Sequence, residues 1–271
     1  MDEAARRRVH PFHTHIEKIA HQKPGKIKVN ADYVYRLRGA APWLHKALRR
    51  VVLVAFGPLF ALWGWQVCGK EHLNGLPGGA VTVCNHVHSL DCVRLACALF
   101  SREMYFLSLK ANLELPVAGR LVRLLGGLPL PETAAAGVHL SRTIRTLLGQ
   151  GALVQIYPEG VLVPYCSTLR PFARGAFCYA ADSGAPVLPC VLVPRPRTGW
   201  RRFTGKKPLL QLVILPPVYP QPGPRRASAA ALQQQVATAM QAVLAPGDER
   251  QPCRGKAVYP CQNRTKRRMI A

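Results

Sequence analysis

Acidic side chains are scarce in this sequence. Only 13 of the 271 residues are Asp or Glu, against 37 Lys and Arg, which leaves a formal charge of +24. Such a surface repels polycations and attracts anions, whether lipid headgroups, nucleic acid or an acidic carrier. Aromatic residues are also few, at 7%, and no single element interleaves them with cations as a stacking platform for bases would require. No nucleic-acid partner is therefore expected. Charged residues make up 18% against 49% hydrophobic, a balance that excludes a disordered chain and leaves enough apolar surface for one sizeable core. The nine cysteines include no CxxC pair, follow no secretory signal and lie scattered through apolar runs. They read as reduced thiols of a cytoplasmic protein.

Also missing is an apolar run long enough to cross a bilayer cleanly. The longest stretch, Val51 to Val67, has 17 residues and contains Gly57-Pro58. As one helix it would rise about 25 Å, short of the roughly 30 Å hydrocarbon core, and the proline should kink or break it. Basic residues flank both sides, with Arg49 and Arg50 before and Lys70 after. These features predict two half-helices dipping into one leaflet from the cytoplasmic face, as a monotopic or short N-terminal anchor. The chain divides accordingly into a basic lead-in (1–42), a membrane-associating helical segment (43–67), a catalytic domain (68–245) and a basic, disordered tail (246–271).

Within 68–245 buried strands alternate with helices. Strands are expected at Ala80 to Cys84, Met104 to Ser108, Gly127 to Leu130, Ala152 to Ile156, Val187 to Val193 and Leu209 to Leu215. Helices are expected at Ser89 to Phe100, Leu113 to Leu125, Thr133 to Leu148, Gly175 to Ala181 and Ser228 to Leu244. The fold class is α/β, a single layered domain with a mixed β-sheet flanked by helices. Between the last two strands runs a basic loop, Arg195 to Lys207, holding Trp200 and Phe203. It reads either as a solvated surface loop or as a second interfacial contact.

The chemistry is concentrated at strand ends. The strand AVTVC runs into Asn85-His86-Val87-His88-Ser89-Leu90-Asp91, so a histidine at the strand end can face a carboxylate in the first turn of the next helix. A neutral imidazole can take the proton of an attacking hydroxyl, and a carboxylate on its other nitrogen fixes the tautomer and stabilises the imidazolium. Cys84, His86, His88 and Cys92 lie within nine positions, but without a second knuckle of CxxC spacing they make a weak zinc set, and no metal is expected. A second strand ends in Tyr157-Pro158-Glu159-Gly160, which could be an ordinary turn or a carboxylate aimed at a substrate hydroxyl.

Taken in order, these motifs resemble the glycerolipid acyltransferases that include lysophosphatidate acyltransferase. Asn85-His86 with Asp91 is similar to the family's His-x4-Asp motif, and Tyr157 to Gly160 to its Phe-Pro-Glu-Gly motif. Gly126 to Leu130 resembles its Gly-x-Ile-x-Ile element, and Ala185 to Val191 its apolar Val-Pro-Val element. Lys110, before Leu113-Glu114-Leu115-Pro116, and Arg174-Gly175-Ala176 also look like family positions. The resemblance covers roughly residues 68 to 218 and implies transfer of an acyl chain from acyl carrier protein or coenzyme A to a membrane lysolipid, without cofactor or metal. It assigns His86 as general base, Asp91 as its orienter, and Asn85, Glu159 and Gly160 to the substrate site.

Two positions depart from the pattern. Where the family carries arginines for the acceptor phosphate, this chain has Pro131-Glu132 and Val161-Leu162-Val163. A buried phosphate without a charge-assisted partner is costly, so Lys110, Arg170 and Arg174 are the expected substitutes for binding 1-acyl-glycerol-3-phosphate. The alternatives are a different lysolipid or non-phosphomonoester acceptor, and a non-catalytic lipid-binding relative.

Overall fold

The structure, a computed structural model, describes residues 42–245. The expected basic lead-in before Pro42 and the expected tail 246–271 lie outside the described residues. Seven strands, β1 (Gln66–Cys68), β2 (Ala80–Cys84), β3 (Met104–Ser108), β4 (Gly127–Pro129), β5 (Leu153–Ile156), β6 (Val187–Arg195) and β7 (Leu209–Ile214), form one sheet in the order β1-β7-β6-β2-β5-β3-β4. All neighbours are parallel except β6 and β7. The mixed sheet flanked by helices is the expected fold class.

Among the described residues eight α-helices accompany it, α1 (Pro42–Leu62), α2 (Glu71–Asn74), α3 (Asp91–Ala98), α4 (Lys110–Glu114), α5 (Ala118–Leu124), α6 (Ala134–Gly149), α7 (Gly175–Ser183) and α8 (Arg225–Leu244), with a short 3-10 helix at Gly199–Phe203. The strands' period-2 geometry divides the core between the two faces of the sheet. On one face Ala80 and Cys84 of β2 and Leu188, Cys190 and Leu192 of β6 pack with Leu53 and Phe60 of α1 and Val93 and Leu95 of α3. On the other, Val81 and Val83 pack with α6, α7 and α8, whose Leu232, Val236 and Met240 recur every fourth residue as a helix face requires. All five residues of β2 are buried, which is why its sequence is a continuous apolar run, not an alternating one.

Three expectations are corrected. The two half-helices are one continuous helix, α1, with Pro58 inside it. Pro58 removes the bond to the carbonyl of Val54, and both residues are exposed, so the unpaired carbonyl faces outward, where it costs least. Helix geometry also ends at Leu62, and Gln66–Cys68 becomes an edge strand paired with Gln211 to Val213. Finally, the helix expected over 113–125 divides into α4 and α5, because Leu115, which precedes Pro116, is extended (ψ 137°). Among the described residues no helix is long and apolar enough to cross a membrane. Six described cysteines are free thiols, whereas Cys68 is disulfide-bonded, which corrects the expectation of nine reduced thiols.

Since β2, β5 and β3 are parallel neighbours, the segments leaving their C-terminal ends gather at one edge. That edge is where open α/β sheets place their sites. Here it receives His86, Glu159 and Lys110.

Candidate active site

Asn85 ends β2 by bracing it against β6. Its Nδ2 donates to the carbonyl of Leu192 at 2.9 Å, and its Oδ1 accepts from the Leu192 N–H at 2.7 Å. With the residue 1% exposed, the amide is spent on the scaffold.

Asp91, the first residue of α3, is wholly buried. Its Oδ2 collects the loop that follows β2, accepting from the Val87 N–H at 2.9 Å and the His88 N–H at 2.7 Å, and standing 3.1 Å from His86 Nδ1. A carboxylate accepts only, so Nδ1 carries the proton and Nε2 is left as the basic nitrogen. Nε2 has no hydrogen-bond partner among the described residues, and the side chain is 23% exposed. The ring stacks on Tyr157, with centroids 4.0 Å apart and planes 14° from parallel. Burial, reinforced by the nearby Asp91 carboxylate, pushes the Tyr157 phenol well above its ordinary pKa, so Tyr157 packs as a neutral platform. His88 is displaced downward, first by burial and then by Arg94, and its Nδ1 accepts from the Leu90 N–H at 3.1 Å. It is a neutral structural neighbour of the base.

Glu159 does not present a free carboxylate. Its side chain is 2% exposed; Oε2 accepts from the His86 N–H at 3.2 Å and from Arg170 Nη2, and Oε1 accepts from the Arg170 N–H at 3.1 Å. It fixes the backbone of the base and anchors Arg170. Gly160 follows at φ +70°, a left-handed turn that glycine adopts without steric cost. Beyond it, Val163 N–H donates to His86 O and Tyr165 N–H to Val87 O, each at 3.0 Å. The Glu-Gly segment thus lies against the His86 loop.

The substitute cations have separate fates. Arg170 is engaged by Glu159 and by the Val161 carbonyl. Lys110 lies 3.3 Å from Glu132, and Arg174 is exposed beside the start of α7. None of the three is brought into the cavity next to the His86 loop. That cavity is lined instead by Arg94 and by residues of the 195–207 loop. Sequence reasoning missed Arg94, whose only sequence signal was its position three residues after Asp91.

The Acyltransferase family model matches residues 65–193, a stretch that includes β2, the His86–Asp91 pair, Glu159 and β6. Over that stretch the chain is similar to the acyltransferases. Its relatives include the chloroplastic 1-acyl-sn-glycerol-3-phosphate acyltransferase BAT2 of Brassica napus, 28% identical over 59% of this chain and 47% of that protein. The Salmonella typhimurium 1-acyl-sn-glycerol-3-phosphate acyltransferase is 28% identical over 60% of this chain and 66% of that protein. The chain thus spans about half the length of the Brassica relative. Among solved structures, the acyltransferase PlsC of Thermotoga maritima shares the fold with a TM-score of 0.54 at 19% identity, over 79% of this chain and 86% of that one.

Proposed function

We propose that this protein moves a fatty acyl chain from a thioester of acyl carrier protein or coenzyme A to the hydroxyl of 1-acyl-glycerol-3-phosphate, as a step of phospholipid biosynthesis. The observation that carries the reading is the buried Asp91 carboxylate 3.1 Å from His86 Nδ1, with Nε2 left free. In this scheme Nε2 takes the proton of the acceptor hydroxyl as its oxygen attacks the thioester carbonyl. The tetrahedral intermediate collapses, the C–S bond breaks, and the departing thiolate receives the proton from His86. Asp91 stabilises the imidazolium in between. The protein residues supply acid–base chemistry and positioning throughout.

The acceptor is reached at a membrane surface. The side of α1 turned away from the core exposes Val51, Val54, Leu59 and Leu62, and Trp63 follows. The loop after β6 docks on that helix end, with Arg201 Nε donating to the Leu62 carbonyl at 3.4 Å, and adds exposed Trp200 and Phe203. Exposed apolar and aromatic groups on elements that also expose Arg50, Arg202 and Lys206 suit a helix lying in an anionic leaflet.

The test offers purified protein in detergent micelles each thioester donor with lysophosphatidate, glycerol 3-phosphate and headgroup-bearing lysolipids, and identifies products by mass. Phosphatidate is the expected product. Because the two family arginine positions are replaced at Pro131-Glu132 and Val161 to Val163, a second reading keeps acyl transfer with another lysolipid as acceptor. Lipid binding without an acylated product from any pair would instead favour a non-catalytic relative.

A further inference from the structure

A cavity of about 460 Å³ lies between the end of α1, the His86–Asp91 loop and the basic loop after β6. One wall is apolar, built from Phe60, Trp63, Trp65, Leu209 and Leu210. The rest carries four cations, Arg94, Arg197, Arg201 and Lys207, and none of its lining residues is acidic. His88 and Leu90, which stand between His86 and Asp91 in the chain, form part of the same wall.

Two of these cations lack the partners such groups normally find. Arg94 is 13% exposed and 3.8 Å from Asp91 Oδ1, and its Nη1 is buried without a hydrogen bond. Its guanidinium lies over the rings of Phe60 and Trp65, at 5.3 and 5.7 Å, so stacking holds it in place while a donor goes unused. Lys207 is exposed, and its ammonium makes no hydrogen bond or ion pair among the described residues. Arg197 is placed by bonds to Lys207 O and Thr204 Oγ1 at 2.6 and 2.7 Å. At the cavity wall Tyr165 is held at φ +54°, a conformation a bulky residue rarely keeps without a functional reason. A buried guanidinium donor left unused beside three further cations is unfavourable unless an anion completes the set.

We propose that this cavity is the subsite for a substrate phosphate, with Arg94 and Lys207 as its principal ligands, in place of the cations absent at Pro131-Glu132 and Val161 to Val163. The apolar wall and the opening beside exposed Trp63 suit an amphiphile entering from the membrane, and so favour the lysolipid phosphate over a phosphate of the thioester donor. The inference rests on the acyltransferase reading for its role in turnover, but not for binding.

The variants Lys207→Glu and Arg94→Gln are compared with wild type in two measurements. In the first, titration calorimetry uses a short-chain lysophosphatidate and the matching monoacylglycerol. Wild type should bind the phosphorylated lipid at least about tenfold more tightly, and each variant should lose that preference, as removal of one charge-assisted contact implies. In the second, steady-state kinetics should show KM for lysophosphatidate raised about tenfold or more, with kcat in Lys207→Glu within about twofold and KM for the donor unchanged. A rise confined to the donor's KM would keep the phosphate site and assign it to the thioester. Phosphate-dependent binding in a protein without turnover would uphold the site while refuting the acyltransferase reading. Equal affinity for the two lipids, or unchanged binding and KM in both variants, would overturn the proposal.

Discussion

Replacing Asp91 by Asn isolates what the buried carboxylate does for the base. The side chain keeps its size, and its carbonyl can still accept from the Val87 and His88 N–H groups that Oδ2 now satisfies. Because Oδ2 serves all three donors, the same carbonyl can still accept from His86 Nδ1, so the tautomer is kept while the amide nitrogen takes the place of Oδ1 beside Arg94. What is removed is the negative charge. At 3.1 Å and an effective dielectric of about 20, the imidazolium–carboxylate attraction is about 5 kcal/mol as an upper bound. At about 1.4 kcal/mol per decade this amounts to a loss of roughly 10³ to 10⁴ in kcat. The lower end is expected because His86 is 23% exposed and water screens part of the attraction. Measured at saturating donor and acceptor, with circular dichroism confirming the fold, Asp91→Asn should lower kcat that far with little change in either KM. Retention of more than about a tenth of wild-type kcat would refute the assignment.

Glu159→Gln tests the clamp under the base. It removes one partner of a buried pair with Arg170, so a loss of about 2–4 kcal/mol is expected in urea unfolding; unchanged stability would contradict a structural role. At the membrane face, Val51→Asp combined with Phe203→Ala changes apolar groups that are 65% and 79% exposed and lie outside the cavity lining. Sedimentation with anionic vesicles should show binding reduced about tenfold or more, with micellar turnover retained. Unaltered vesicle binding would exclude this surface.

Much of the fold was legible because the informative signals are local. The run AVTVC is apolar at every position because β2 is covered on both faces, and the five-residue spacing from His86 to Asp91 is what one strand-to-helix turn needs. What escaped the sequence depends on distant partners. Strand β1 has three residues, and its pairing with Gln211 to Val213 is invisible beside the apolar run that precedes it. Gly57-Pro58 argued for a break, yet the broken bond falls on the exposed side of α1, where the helix tolerates it. Asn85 and Glu159 belong to motifs that look ready for substrate. Only the positions of Leu192, across the sheet, and Arg170, eleven residues on, reveal that both side chains are already occupied. Arg94 becomes notable once a loop a hundred residues later closes a cavity around it.

The central claim is that His86 removes the proton from a lipid hydroxyl. Its most direct test is single-turnover acyl transfer by His86→Ala, with purified variant in excess over labelled thioester, saturating lysophosphatidate and products followed by mass. Because the ring is 23% exposed and not part of the buried core, the variant should fold and bind both substrates. It should form acylated product at least about a thousandfold more slowly than wild type. Product formation at a rate near wild type would contradict the account.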